Sequence, residues 1–330
     1  MTMNANQQWI KLIRDLINNG TPVVRRGLSA FEILSYTSKI NMKQPLITIR
    51  ERNVNYKFLF HEAYYILTGK NNMEILESMK GFYKYSDDGN LFRGAYGPRI
   101  INQLSHVVLS LLEDPFTRQA VLTIWEPNPA KSKDIPCTIS MHFQLRQDKT
   151  NEYFLDCFVT MRSSDAFIGW IYDVFNFSMI SLYVLLLLKR SILNVESNSF
   201  KSMDKIENLH LNLGNLYLTA NNQHIYSENI DFVTRFLLDS KEEDNLRKIN
   251  LVNIPAEIAM LSYDDLDIFL TETVNKYKTE SKNYLQEEVP YSKINHAPDA
   301  LLYLLESYKD KPKQYFTDLI SDTVQEIYSE

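Results

Sequence analysis

The sequence predicts an α+β fold in which a mixed β-sheet packs against long buried helices. Three runs of β-strand character, 119–125, 138–146 and 153–161, follow one another along the chain. Directly after them, residues 174–190 carry the most apolar stretch of the sequence, which predicts one long core helix. Strands interrupted by long buried helices are typical of the α+β class.

The N-terminal elements alternate between helix and strand. Residues 7–19 place apolar side chains at helical spacing, and Gly20 ends the pattern. A weakly alternating run at 28–40 predicts a strand. Helical spacing returns over 56–67, where Gly69 provides a stop signal.

The later elements continue this pattern. Helical periodicity over 100–112 ends at an Asp-Pro pair, and a strand is predicted near 209–218. From about residue 235 onward the pattern is helical and the composition leans acidic. We therefore predict a main domain at 1–234 and an acidic helical C-terminal extension at 235–330, packed on the main domain or continuing it.

Composition argues against several classes of function. The chain has 330 residues, 45% of them hydrophobic, with 9 Gly and 11 Pro, as expected for a globular core of enzyme size. Its net charge of −6 offers no basic excess for a nucleic-acid backbone. The apolar run at 174–188 contains Asn176 and is shorter than the roughly 20 residues that span a bilayer. We expect neither a nucleic-acid nor a membrane partner.

The numbers and positions of the cysteines and histidines allow a prediction of the cellular compartment and of metal binding. Two cysteines, with no signal peptide before them, predict reduced thiols in a cytoplasmic protein. Cys157 lies inside the strand pattern 153–161, which predicts core packing. The 6 histidines show no metal-ligand spacing, so no metal is predicted.

The other cysteine stands in a chemically informative setting. Cys137 follows Pro136 at a predicted strand start, and Arg162 lies on the next predicted strand. Alone, a Pro-Cys pair is more often a core feature, and an arginine is more often a surface charge. Together they predict a nucleophile, because a nearby cation lowers the pKa of a thiol and the thiolate is the reactive form.

Further fragments accompany this pair. After Arg162 the pattern Arg-Ser-x-Asp-x-x-x-Gly continues to Gly169. The remaining fragments, in chain order, are Gly20-Thr21-Pro22 with Arg25-Arg26-Gly27, His61-Glu62, Arg93-Gly94-Ala95-Tyr96-Gly97 and Asp114-Pro115-Phe116-Thr117-Arg118. With these fragments in this order, the chain resembles the thymidylate synthase superfamily from about residue 10 to about residue 230.

The resemblance implies a reaction. It predicts a thymidylate-synthase-like catalytic domain, a homodimer formed through the sheets, a pyrimidine nucleoside monophosphate as acceptor and 5,10-methylenetetrahydrofolate as the one-carbon donor. Cys137 would attack ring carbon C6, which makes C5 nucleophilic. Glu62 would organise water and protons, and Tyr96 would line the site near the thiol.

The resemblance also assigns binding roles. Arg118 would reach the phosphate site of the partner subunit, and Asp165 would contact the pterin. The predicted nucleotide-binding residues are Arg25, Arg26, Arg118, Arg162, Ser163, Asp173, Asn176, Tyr217 and Thr219. The predicted cofactor-binding residues are Asp165, Gly169, Phe82, Tyr85 and Tyr172.

Two departures from the synthase pattern concern the base. The cysteine is followed by Thr138, where synthases have histidine. Asp173 stands where synthases carry the asparagine that reads uracil, and both features are similar to viral deoxycytidylate hydroxymethylases. An ionised carboxylate accepts from the N4 amino group of cytosine, whereas it meets O4 of uracil with no donor between them. Asp173 is therefore predicted to select cytosine, with Asn176 as the alternative reader if three residues are inserted.

Two further departures concern the sugar and the folate. Where the family usually carries His-x-Tyr for the 3′-hydroxyl, we place Leu213–Thr219, so Tyr217 and Thr219 are the candidates and ribose or deoxyribose stays open. Synthases carry tryptophans where Phe82 and Tyr85 stand here. These smaller or more polar aromatics are compatible with water entering the site, which favours a hydroxymethyl product.

The sequence-based prediction is thus hydroxymethylation of C5 of dCMP or CMP through a covalent cysteine adduct. The alternatives are C5 methylation of dCMP, dUMP methylation as in thymidylate synthesis, and an inactive nucleotide-binding homologue. The presence of both Cys137 and Glu62 argues against the inactive form.

Overall fold

The computed structural model describes residues 3–49, 52–194, 211–239, 298–299, 301–302 and 305–306. The helices are α1 Ala5–Asn19, α2 Tyr56–Leu67, α3 Tyr96–Ile101, α4 Leu104–Glu113, α5 Gly169–Asn194 and α6 Ile230–Asp239. The strands are β1 Thr21–Arg25, β2 Leu28–Asn41, β3 Val121–Thr123, β4 Thr138–Gln147, β5 Tyr153–Met161, β6 Ser164–Asp165 and β7 Leu211–Tyr226. Short 3₁₀ turns lie at Met73–Glu77, Lys80–Tyr85 and Ser227–Asn229.

The strands form one mixed sheet with the order β1-β2-β7-β5-β4-β3, and β6 pairs with β7 beyond the end of β5. Strand β7 runs parallel to β5 and β6, whereas the other pairs are antiparallel. The mixed α+β architecture therefore agrees with the sequence-based prediction.

Helix α5 lies in the centre of the core. Trp170, Phe175 and Phe177 on this helix are fully buried, and so are Leu216 and Leu218 on β7. The helix is long and apolar enough to cross a membrane by length and composition, but 78% of its most apolar 18-residue stretch is buried inside the protein. A core helix of a soluble protein passes the same test, so length and composition alone favour neither setting.

Two tryptophan side chains connect helices α1 and α5 to other parts of the fold. The indole N–H of Trp9 on α1 donates to the carbonyl of Ala166, 2.8 Å away. The indole N–H of Trp170 on α5 donates to the hydroxyl of Ser38 on β2 over 3.2 Å. Both bonds are buried, where a lost partner is costly, so they hold α1, β2 and the start of α5 in register.

The helix predicted at 100–112 is split into α3 and α4 near Gln103. The Gln103 side chain donates to the Thr123 carbonyl over 2.7 Å and accepts from the Thr123 N–H over 2.9 Å. This side chain therefore provides the edge strand β3 with the partners that a neighbouring strand would supply. Periodicity alone does not reveal such a long-range bond.

Strand β7 differs most from its prediction, because it ends at Tyr226 instead of near residue 218. The polar stretch Asn221-Asn222-Gln223 resembles a turn in the sequence. In the structure it pairs with β2, and Gln223 also pairs with Ser164 of β6. Tertiary pairing therefore overrides the local turn signal.

The predicted domain boundary after residue 234 falls inside α6. Most of the predicted acidic extension lies outside the described residues. Of its described positions, Leu301 and Leu305 are fully buried in the main core, and Glu306 lies near the phenol of Tyr64.

Replacing Leu301 with alanine is therefore expected to destabilise the whole fold. Removing a buried leucine side chain costs about 2–5 kcal/mol. Urea unfolding would measure the change, with Leu109→Ala as the control because Leu109 on α4 is 49% exposed and should shift stability by less than about 0.5 kcal/mol. Equal stability of the two variants would contradict a structural role for this C-terminal segment.

Candidate active site

Cys137 lies immediately before β4, and Arg162 holds its backbone in place. The Arg162 N–H donates to the Cys137 carbonyl over 2.8 Å. The guanidinium donates to the carbonyls of Pro136 over 3.0 Å and Ile135 over 3.1 Å. The strand-and-arginine arrangement predicted from the sequence is present, and the arginine positions the thiol as well as carrying charge.

Opposing effects set the reactivity of the half-buried thiol. Burial raises the pKa of Cys137, the nearby Arg162 and Arg26 lower it, and Asp173 and Asp134 raise it. The balance lies above the ordinary value for a thiol. The resting cysteine is therefore held mainly protonated, chiefly by burial, and Arg162 is the main group that favours its ionisation.

Tyr96 begins α3 and contacts the residue after the nucleophile. Its hydroxyl accepts from the Thr138 hydroxyl over 2.9 Å and from the Thr138 N–H over 3.3 Å. Burial, with Asp173 and Cys137 nearby, raises the pKa of the phenol. Tyr96 therefore stays protonated, and its own proton has no acceptor among the described residues.

Glu62 projects from α2 toward α5. One of its carboxylate oxygens accepts from the Asn176 side-chain amide over 2.7 Å. Burial raises the pKa of Glu62 to about 7, and the bond from Asn176 lowers it in part. A carboxyl group that titrates near neutral pH is suited to general acid and base chemistry.

Asp173 lies one turn before Asn176 on α5, so both side chains lie on one face of the helix. Burial raises the pKa of Asp173 well above its usual range, and the negative charges of Glu62 and Asp165 raise it further. Asp173 also shifts the pKa of Cys137 and of Tyr96. The structure therefore gathers the four predicted catalytic residues in one cluster: Cys137, Glu62, Asp173 and Tyr96.

Asp165 and Gly169 shape the beginning of α5. One oxygen of Asp165 accepts from the N–H of Phe167 over 2.8 Å and from that of Ile168 over 3.2 Å. Its second oxygen has no partner among the described residues and stays available to a ligand. A Cβ on Gly169 would lie 3.4 Å from an oxygen of Asp173, which is ordinary van der Waals contact, so Gly169 approaches the carboxylate closely.

The predicted folate-binding aromatics form a continuous cluster beside the carboxylates. Phe58 contacts Phe82 at 5.2 Å and Tyr172 at 5.1 Å between ring centroids. Phe82 contacts Tyr85 at 5.7 Å, and Tyr85 is 40% exposed. Tyr172 precedes Asp173 on α5, so this aromatic surface leads directly to the carboxylates. The rings are tilted or edge-on to one another, with interplanar angles of 46° to 74°. An aromatic cluster beside a free aspartate oxygen is suited to contact the ring and polar edge of a pterin.

The arginines predicted to hold phosphate differ in their surroundings. Arg25 forms a 2.9 Å ion pair with Glu32 on β2. Arg26 is exposed at the tip of the β1–β2 hairpin, where its φ of 52° is in the left-handed region. Arg118 is exposed in the loop before β3, and Ser163 is half-buried directly after Arg162. Of these residues, Arg26 is the one that joins Arg162 in lowering the pKa of Cys137.

The hairpin turn at Arg26-Gly27 has φ values of 52° and 79°. Two-residue turns of this kind favour Asn-Gly, so arginine is retained at a backbone cost. Arg26→Asn is expected to stabilise the fold by about 0.5–1 kcal/mol and to weaken nucleotide binding by about 10-fold or more. Calorimetric titration and urea unfolding of one preparation would measure both, and unchanged affinity would contradict a phosphate-binding role.

The structure does not bring Tyr217 and Thr219 to the thiol. On β7, the buried side chains of Leu218 and Ala220 face the helices. Because side chains alternate along a strand, Tyr217 and Thr219 point to the opposite face of the sheet. There Tyr217 stacks on Phe158 at 4.7 Å between ring centroids, and Thr219 meets Thr37 at 2.9 Å between hydroxyl oxygens. This placement argues against a sugar contact within the same subunit.

His224-Ile225-Tyr226 at the end of β7 provides the His-x-Tyr spacing instead. His224 pairs with Asp165 in the sheet, and its carbonyl accepts from the Ala166 N–H over 2.8 Å. The His224 and Tyr226 rings meet at 5.1 Å between centroids. These residues were missed because the strand was expected to end near 218, although the His-x-Tyr signal was present in the sequence.

Within the part of the chain that the structure describes, no group of three or more His, Cys, Asp or Glu side chains could hold a metal ion.

A positioned thiol beside a carboxyl group that titrates near neutral pH is an arrangement suited to covalent cysteine catalysis. The family model described as "Thymidylate synthase" matches residues 7–282, more than half of the chain. The chain belongs to the thymidylate synthase family. It is a one-carbon transferase that acts on pyrimidine nucleotides, with 5,10-methylenetetrahydrofolate as its one-carbon donor.

Curated relatives include phage and bacterial enzymes. A "Deoxyuridylate hydroxymethyltransferase" of Bacillus phage SP01 is 25% identical over 323 residues, covering 89% of this chain and 79% of that protein. A "Thymidylate synthase" of Francisella philomiragia is 20% identical over 285 residues, covering 79% and 94%. A "Deoxyuridylate hydroxymethyltransferase" of Pseudomonas phage M6 is 34% identical over 128 residues, covering 36% and 35%.

Proposed function

We propose that the chain is a hydroxymethyltransferase that modifies C5 of a pyrimidine nucleoside monophosphate. The observation that carries this proposal is the cluster of Cys137, Tyr96, Glu62 and Asp173 within the family fold. The names of two phage relatives, both hydroxymethyltransferases, support the hydroxymethyl product.

Cys137 performs the first step. A pyrimidine C5 carbon is a poor nucleophile, and addition of a thiolate at C6 makes C5 electron-rich. Because burial holds the thiol protonated, the sulfur must lose its proton as it attacks, and Arg162 and Arg26 favour the ionised form. At the end, the cysteine leaves C6 and the ring regains its double bond.

Glu62 handles protons and water. With a pKa of about 7 it can give up or take a proton at neutral pH. Its free oxygen can orient a water, because Asn176 occupies the other one. Hydroxymethyl transfer needs such a water, since the product carries an added CH₂O.

The folate site is assigned to the aromatic cluster and Asp165. When bound, 5,10-methylenetetrahydrofolate supplies a one-carbon unit at the oxidation level of formaldehyde, so that nucleotide, donor and water give hydroxymethyl-nucleotide and tetrahydrofolate without any oxidation or reduction. Phe82, Tyr172 and the partly exposed Tyr85 would hold the ring, and the free oxygen of Asp165 would meet its polar edge.

Two bases, cytosine and uracil, are candidates for the acceptor nucleotide. An ionised Asp173 favours the cytosine predicted from the sequence, as in dCMP or CMP. The names of the phage relatives specify deoxyuridylate, which favours uracil and deoxyribose. His224 and Tyr226 are the assigned sugar contacts in either case.

A homodimer formed through the sheet completes the proposal. The face of the sheet that points away from the helices carries the stacked Phe158 and Tyr217 pair, with His142 at 5.9 Å from the Phe158 ring. A half-buried aromatic surface of this kind is suited to contact with a second copy. In such a dimer the exposed Arg118 could reach the partner's phosphate site.

Mass spectrometry of the product tests the proposal. The protein is incubated with methylenetetrahydrofolate and, separately, with dUMP, dCMP and CMP. Gain of CH₂O on the nucleotide with release of tetrahydrofolate supports hydroxymethyl transfer. Gain of CH₂ with formation of dihydrofolate would make the enzyme a methylase and overturn the proposed product.

A further inference from the structure

We propose that His61 positions the folate-binding aromatic cluster through Ser78 and thereby sets the affinity for the one-carbon donor. His61 stands next to Glu62 in the chain, but the proposed reaction uses only the glutamate. His61 acts through another residue and is therefore a positioning residue. The inference rests on the proposed placement of the folate against the aromatic cluster that contains Phe82.

Helix α2 directs two neighbouring side chains to different parts of the site. Glu62 projects toward Asn176 on α5. His61 is buried, with 1% of its surface exposed, and its ring nitrogen Nδ1 lies 2.8 Å from the hydroxyl oxygen of Ser78. Successive residues of a helix are rotated by about 100°. One rigid helix therefore carries both the proposed proton-transfer group and the contact to Ser78.

Ser78 lies between the two 3₁₀ turns that precede the site. The second turn, Lys80–Tyr85, carries Phe82, contains no buried residue and begins without a side-chain hydrogen bond at its cap. Short 3₁₀ turns have poor hydrogen-bond geometry, so they add little stability of their own. The position of Phe82 therefore depends on contacts between this segment and the rest of the fold.

The contacts of Ser78 connect the segment to α2 in two ways. Its hydroxyl meets His61, and its carbonyl accepts from the side-chain amide of Asn55 over 3.3 Å. Asn55 precedes α2, and its own N–H donates to the hydroxyl of Tyr172 over 3.4 Å. Ser78 is thus tied to α2 directly and, through Asn55, to the Tyr172 side of the aromatic cluster.

The imidazole ring of His61 also approaches the first 3₁₀ turn, Met73–Glu77. Its second nitrogen, Nε2, lies 3.7 Å from a carboxylate oxygen of Glu74 in that turn. A neutral imidazole has one acceptor and one donor nitrogen, so it can accept from a hydroxyl on one side and point an N–H at a carboxylate on the other. His61 therefore contacts the segment at two points, Glu74 and Ser78.

The affinity for tetrahydrofolate, the folate product of the proposed reaction, tests the inference. Calorimetry in the presence of saturating dUMP or dCMP compares the wild type with His61→Leu, His61→Asn and Ser78→Ala. Leucine fills space without a hydrogen bond, whereas asparagine places an amide near the position of Nδ1. We expect His61→Leu and Ser78→Ala to weaken tetrahydrofolate binding by about 3-fold to 10-fold. Nucleotide affinity should change by less than about 2-fold, and His61→Asn should restore most of the folate affinity.

A double variant and a matched control distinguish positioning from a general structural role. His61→Leu combined with Ser78→Ala should bind tetrahydrofolate about as weakly as either single variant, because both changes remove the same contact. His106→Leu removes an exposed histidine contact on α4, 3.1 Å from the Gln119 carbonyl, and should keep the wild-type affinity for tetrahydrofolate.

Two results would overturn the inference: equal weakening of nucleotide and folate binding in His61→Leu, or additive effects in the double variant. If His61→Leu does not fold, Ser78→Ala decides the question, and wild-type tetrahydrofolate affinity in that variant is the contrary result.

The variant Phe82→Ala separates this inference from the proposed folate site. It should weaken tetrahydrofolate binding because the folate is placed on that ring. A loss in Phe82→Ala with wild-type affinity in His61→Leu would overturn the inference and keep the placement. Unchanged affinity in Phe82→Ala would overturn the placement and the inference with it. These measurements form no product, so a methyl product in the mass-spectrometric assay would overturn the proposed reaction alone.

Discussion

Cys137→Ala is expected to abolish turnover, with kcat falling by about 10⁴-fold or more. The reaction needs a sulfur atom that bonds to C6, and no other described residue in the cluster can replace it. Nucleotide affinity should change by less than about 10-fold, because the phosphate and base contacts remain. Single-turnover kinetics and calorimetric titration with nucleotide would measure the two effects separately.

The chain offers a matched control in its second cysteine. Cys157 on β5 is fully buried in the core, and burial raises the pKa of its thiol to about 12. Cys157→Ala should keep turnover while losing some stability, because it removes a buried atom. Equal loss of binding and turnover in Cys137→Ala would contradict a nucleophilic role and indicate a structural cysteine.

Glu62→Gln is expected to lower kcat by about 10²-fold to 10⁴-fold. Glutamine keeps the shape and can accept the 2.7 Å bond from Asn176, but it cannot exchange a proton near neutral pH. Steady-state kinetics would measure the loss. Glu77→Gln, an exposed carboxylate in the nearby 3₁₀ turn, is the control and should retain activity. Comparable activity in both variants would mean that Glu62 does not take part in proton transfer.

The same substitution should stabilise the fold at alkaline pH. Folding raises the pKa of Glu62 from 4.5 to about 7. The protonated folded form is favoured, so this group's contribution is full below pH 4.5 and is lost as pH rises through about 7. The difference amounts to about 3 kcal/mol. Urea unfolding should show Glu62→Gln gaining stability over the wild type at about pH 8, and little difference at about pH 4.5.

Glu62→Gln is thus expected to lose activity and to gain stability at alkaline pH. These opposite effects would explain why the site keeps carboxyl groups that destabilise the fold. Burial raises the pKa of Asp173 and of Glu62, and the charges of Glu62 and Asp165 raise the pKa of Asp173 further. The energetic cost keeps protons available at neutral pH, which catalysis requires. A fold selected for stability alone would place an amide or an apolar side chain at these positions.

Much of the architecture followed from local patterns. Helix α2 was predicted at the bounds that the structure has, and the β5 run was predicted at 153–161, as observed. The cluster proposed to be catalytic was predicted from motif order, because Cys137, Glu62 and Asp173 occur in or next to fragments that resemble the family. Local periodicity succeeds for such elements because each follows its own propensity and burial pattern.

Other features could not be read from neighbours in the sequence. Tyr217 and Thr219 were assigned to the sugar, but strand alternation directs them to the far face of the sheet. Their direction depends on the irregular pairing of β7 with β5 between Leu155 and Cys157. Gly214 permits that approach, since a Cβ there would lie 2.3 Å from an oxygen of Asp156. Such a long-range contact leaves no local signal.

The sequence by itself determined the family, and it predicted the nucleophile and the residue at the base-reading position. The tertiary structure alone decided the surroundings of that residue. Burial raises the pKa of Asp173, and so do Glu62, which is distant in sequence, and Asp165. A pKa is a property of the surroundings in space, so no local pattern in the sequence reveals it.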